Sequence, residues 1–154
     1  MIQRIQTVYL LIVTVLSVIV IFLPVSAIIT SATVFDLSYK GFVSTPHIDA
    51  LQVNTWPLTL VAALIPLVSF GSIFLYKKRQ LQIRINIINF LLMDVYYIVV
   101  LVFMYFADSK LAINSQWIYH FAFVLPAVNM VFTFLAIRGI QKDEKLVRSL
   151  NRLR

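Results

Sequence analysis

The chain has no cysteine, only three glycines and two histidines, and just 12% of its 154 residues are charged. Each scarcity closes off a class of chemistry. Without cysteine there is no disulfide, no thiolate metal site, no dithiol redox pair and no lipid-modified thiol. Gly41, Gly71 and Gly139 are too few and too scattered for a phosphate-cradling loop, and no serine lies in a nucleophile-elbow pattern. Of the histidines, His47 is two residues from Asp49 in "PHID", short of the three or four ligands a metal normally needs. His120 is expected in the first turn of a helix, in a structural or interfacial role. No metal, cofactor or catalytic constellation is expected, and the protein reads as a non-enzyme.

What the chain does have is apolar length. Hydrophobic residues make up 61% of the sequence and the mean hydropathy is +0.93, outside the range of soluble domains. Four apolar runs, 8–29, 56–76, 85–106 and 117–137, each approach the ~20 residues a helix needs to cross the hydrocarbon of a bilayer. They are continuous, whereas barrel strands alternate in ~10-residue segments. The expected fold is therefore an all-α membrane protein, a four-transmembrane-helix bundle forming one domain over 1–154. Arg4 ahead of a run reaching "VSA" at Val25 to Ala27 resembles a secretory signal, but the run exceeds the 7–15 residues of a signal core and is read as a retained helix.

Basic residues set the expected orientation. Arg4, Lys77, Lys78, Arg79, Arg84, Arg138, Lys142, Lys145, Arg148, Arg152 and Arg154 fall beside one set of span ends, against Lys40 and Lys110 at the other. Both termini and the middle loop are thus expected to be cytoplasmic. The net charge of +7 is then a topology signal beside anionic headgroups, and no specific nucleic-acid partner is implied.

Short connections make the spans antiparallel neighbours: "KKRQLQIR" (Lys77 to Arg84) between the second and third, "ADSKLAINSQ" between the third and fourth. The loop over 30–55 lies outside, and its β-branched and aromatic residues around Gly41 fit a small hairpin cap.

The opening "MIQRIQTVYLL", the inter-helix "LQIRINIIN" and the closing "LAIRGIQKDEKLVRSLNRLR" resemble the hallmark stretches of a family of small four-span bacterial inner-membrane proteins of unknown function. The resemblance runs from end to end. It implies the four-span fold and a bacterial inner membrane, and it carries over no activity and no catalytic residue.

Two features invite function. The first is Asp94, the acid in the middle of "NFLLMDVYYIVV". At ~1.5 Å per residue it lies about 13 Å into the third span, and Asn129 about 12 Å into the fourth from the same side. Ser69, with Thr14 or Ser17, falls near that level, so one polar layer across four helices is expected: Asp94, Asn129, Ser69, Ser17. A protonated Asp94 that donates to Asn129 would be interhelical glue or a contact for a partner helix; a buried, ionisable one would serve a proton-relay or ion-coupled transporter. Pro24, Pro66 and Pro126 are candidate kinks.

The second is the tail, 138–154. Leu146, Val147, Leu150 and Leu153 form a helical stripe flanked by Lys145, Arg148, Arg152 and Arg154, and Glu144 stands four residues before Arg148. A basic amphipathic cytoplasmic helix is expected, lying on anionic lipid or docking in a partner's groove. The leading expectation is a non-catalytic accessory or scaffold subunit of a larger inner-membrane complex, with export or insertion machinery among the candidates. The alternative is a small proton- or ion-coupled transporter using Asp94.

Overall fold

The structure, a computed structural model, describes residues 2–29, 34–39, 41–45, 55–111 and 116–152. Four long helices, α1 (Ile2–Phe22), α2 (Trp56–Phe74), α3 (Arg79–Leu111) and α4 (Leu125–Arg152), are joined by a small sheet of β1 (Ser26–Ile29), β2 (Val34–Ser38), β3 (Gly41–Thr45) and β4 (Gln116–Tyr119). Each helix contains a segment long and apolar enough to cross a membrane.

The helices pack in a ring, α1 beside α2 and α4, and α3 beside the same two. Their buried residues recur every three or four positions: Gln6, Leu10, Val13, Ser17 and Val20 on α1; Leu58, Ala62, Ile65, Ser69 and Ser72 on α2; Gln82, Asn86, Asn89, Met93, Tyr96, Val100, Met104 and Ala107 on α3; Leu125, Asn129, Thr133, Ala136 and Ile140 on α4. A repeat near 3.5 keeps one seam turned inward along antiparallel helices. The opposite faces carry large exposed apolar side chains such as Leu11, Leu67, Leu91 and Phe134.

The sheet corrects the all-α expectation. Its order is β3-β2-β1-β4, with every neighbouring pair antiparallel. The hairpin foreseen around Gly41 is β2–β3, closed by a two-residue connection that pairs Ser38 with Gly41. Gly41 has φ 115°, a left-handed conformation that disfavours any side chain. The hydroxyls of Thr55 and Thr59 donate to the Tyr39 carbonyl at 3.3 and 3.0 Å, tying this hairpin to the start of α2.

β1 and β4 were expected as helix. The first span ends at Phe22, not at residue 29, because Pro24 has no N–H to continue the ladder and disfavours helix in the residue before it. The fourth starts at Leu125, not 117, after an extended His120 and a 3-10 turn over Phe121–Phe123. Pro126 therefore stands in the first turn of α4, where the missing N–H costs nothing, and of the three candidate kinks Pro66 is the one in a helix interior. Between α2 and α3 a 3-10 turn over Leu75–Lys77 suffices, so α3 begins at Arg79, six residues before the expected start.

The inward sheet residues Ile28, Phe35, Leu37 and Phe42 join Leu58, Val100, Met104, Ala107 and Leu125 in one apolar cluster. The sheet thus seals one end of the bundle. The other end carries the basic residues of the α2–α3 turn and of α4.

Candidate functional site

The inward seam changes character along its length. Toward the sheet it is Val20, Ile65, Tyr96 and Val100; toward the basic end Gln6, Ser69, Ser72, Gln82, Asn86, Asn89 and Thr133, all at most 6% exposed, join Leu10, Val13, Ala136 and Ile140. On α3 the change comes between Asn89 and Met93, one turn apart on the same stripe.

Three of the four residues expected in a polar layer are in this seam. The Ser17 hydroxyl donates to the Val13 carbonyl at 2.7 Å and accepts from the Asn129 amide at 3.0 Å, linking α1 to α4. The Ser69 and Thr14 hydroxyls both reach the Leu10 carbonyl, at 3.0 and 2.8 Å, and stand 3.1 Å apart, linking α2 to α1. One turn further toward the basic end, Ser72 donates to Asn86 Oδ1 at 3.0 Å, and Gln82 Nε2 donates to the Ser72 carbonyl at 3.1 Å.

Asp94 is not among them. It follows Met93, is half-buried on the flank of α3, and takes part in no hydrogen bond or ion pair of the described residues. The expected Asp94–Asn129 bond is replaced by Asn129–Ser17, because a residue beside the stripe is turned about 100° away from it.

The amide stripe Gln82, Asn86 and Asn89 was not anticipated, although its i, i+4, i+7 spacing was readable. Much of the seam's bonding capacity is unused. Gln6 Nε2, Asn86 Nδ2, both side-chain polar atoms of Asn89, Asn129 Oδ1 and Thr133 Oγ1 are buried with no protein partner among the described residues. A buried polar group left unpaired costs about 1–3 kcal/mol. At the apolar limit of this seam is a small recess lined by two residues from each helix: Ser17 and Val20, Ala62 and Ile65, Met93 and Tyr96, Pro126 and Asn129.

Gly139 sets the approach of α1 to α4 at the basic end, where an added Cβ would stand 3.1 Å from Gln6 Cγ. Nearby, Arg79 Nη1 donates to the Asp143 carbonyl at 3.3 Å and Gln80 Nε2 to Glu144 Oε1 at 2.8 Å, which fastens the extension of α4 to the start of α3. Beyond these contacts Lys145, Leu146 and Val147 are exposed. The helix continues through Arg148, Leu150 and Arg152, whose side chains are outside the described residues, as is Leu153.

His120 is not in a helix. Its Nε2 is 3.2 Å from Asp36 Oδ1, both side chains about one-third exposed, so it joins the β4 end of the sheet to β2. His47 and Asp49 lie outside the described residues. Among the described residues, no three His, Cys, Asp or Glu side chains are grouped to hold a metal.

A family model described as a domain of unknown function, DUF4293, matches residues 2–153. No curated protein and no solved structure matches the chain.

Proposed function

This chain belongs to the DUF4293 family, and from that premise we propose that it is a non-catalytic accessory or scaffold subunit of a larger bacterial inner-membrane complex. In this reading the basic end is cytoplasmic, both termini lie on that side, and four helices span the bilayer.

Asp94 carries the proposal. It lies ten residues from Arg84, about 15 Å along α3, in a helix whose outer face is apolar. An acid at that depth must find a partner, face water or be protonated. Within the chain no described donor meets its half-buried carboxylate, and a helix of another subunit would supply the hydrogen bond. The extension of α4 adds a second contact. Asp143 and Glu144 hold its base against α3, while Leu146 and Val147 are 49% and 42% exposed. In the sequence pattern, Lys145, Arg148, Leu150, Arg152 and Leu153 continue this basic, leucine-rich stretch, which suits anionic lipid and a partner's groove.

The test is affinity recovery of the tagged protein from native membranes in mild detergent, comparing the full chain, a truncation after Glu144 and Asp94→Leu. Truncating there spares buried Ile140 and the contacts to α3. Membrane proteins recovered with the full chain and reduced at least tenfold with either variant are the expected result. Recovery of no specific partner, or an unchanged set with both variants, refutes the accessory role.

A further inference from the structure

We infer that the polar seam is a hydrated vestibule: a file of bound water enclosed by the four helices, entering at the basic end beside Gln6 and stopping at the recess between Ser17 and Asn129. Eleven residues separate Gln6 from Ser17, so the file extends about 16 Å along the bundle axis. The inference concerns the interior and is independent of any partner subunit.

The unpaired atoms specify the occupant. Amide hydrogens of Gln6, Asn86 and Asn89 require an acceptor, the amide oxygens of Asn89 and Asn129 require a donor, and the Thr133 hydroxyl takes either. The occupant must therefore both accept and donate hydrogen bonds. It must also be uncharged, since the buried amides and hydroxyls of this seam lie beside apolar Leu10, Val13, Ala136 and Ile140, with no ionised group among the buried described residues to balance an ion. Water meets both conditions and is the usual partner of buried polar groups that lack a protein one. The recess between Ser17 and Asn129 has room for about one water. Beyond it Val20, Ile65 and Val100 offer no hydrogen bonds, and the file ends.

The absence of cysteine makes the test direct, because a thiol reacts as its thiolate and so reports contact with water. Single substitutions Asn89→Cys and Thr133→Cys are placed in the vestibule, and Val100→Cys, equally buried, in the apolar half. Each purified protein is treated with methyl methanethiosulfonate in detergent micelles. The expected result is modification at 89 and 133 at least tenfold faster than at 100. Equal and slow rates at all three positions overturn the vestibule, and equal and fast rates show a generally loose bundle, which also overturns it.

A second measurement needs no substitution. In the full chain labelled with ¹⁵N-asparagine, the side-chain amides of Asn86 and Asn89 are expected to show magnetisation transfer from water. Amides with no such transfer are dry, and the inference fails whatever the variants do.

Discussion

Asn129 uses half of its side chain. Its Nδ2 donates to Ser17, while its Oδ1 has no protein partner among the described residues. Interhelical hydrogen bonds in membrane proteins average ~0.6 kcal/mol and reach ~1.7, so this contact is a modest clamp between α1 and α4. Ser17→Ala is expected to lower stability by about 1 kcal/mol, because it strands the amide as well as deleting a bond. In a double-mutant cycle with Asn129→Leu the second substitution should cost less in the Ser17→Ala background, with a coupling of about 0.6–1.7 kcal/mol. Reversible unfolding in mixed micelles measures it, and strictly additive losses would show that the two side chains do not act together. Asp94 makes the complementary point. Depth arithmetic put it level with Asn129, but depth is only one of two helical coordinates. The other, angle, puts Met93 in the seam and Asp94 beside it.

At the scale of elements, hydropathy identified four long apolar helices but not their ends. "VSAII" is as apolar as the helix it adjoins and half of "QWIYHF" is aromatic, and such short runs do not distinguish strand from helix. What decides is Pro24 on one side and pairing on the other: β1 lies between β2 and β4, a contact between segments about 90 residues apart that no local pattern encodes. The β2–β3 hairpin was legible because its signal is local. Its turn depends on Gly41 at φ 115°, where a β-branched side chain is strained. Gly41→Val is expected to cost about 1–3 kcal/mol and lower the thermal midpoint in detergent, while leaving the helical circular dichroism unchanged. A midpoint equal to that of the parent protein would mean that the hairpin does not hold the sheet end together.

Across the whole molecule the two ends are built oppositely. One is closed by the apolar face of a sheet; the other gathers Arg79, Arg84, Arg138 and Lys142 around a polar interior. Because the positive-inside rule depends on Lys and Arg near the span ends, this polarity carries a prediction of orientation under the proposed function. It predicts that the sheet faces the periplasm. Ile118 on β4 is 46% exposed and Lys142 on α4 is also exposed, and neither is in the bundle seam, so a cysteine at each reports its own side without disturbing the core. With a membrane-impermeant maleimide on intact spheroplasts, Ile118→Cys should be labelled at once and Lys142→Cys only after permeabilisation. The reverse pattern would put the polar seam at the periplasmic face and the tail beyond reach of any cytoplasmic partner. Labelling of both before permeabilisation would mean that the four helices do not all span the membrane.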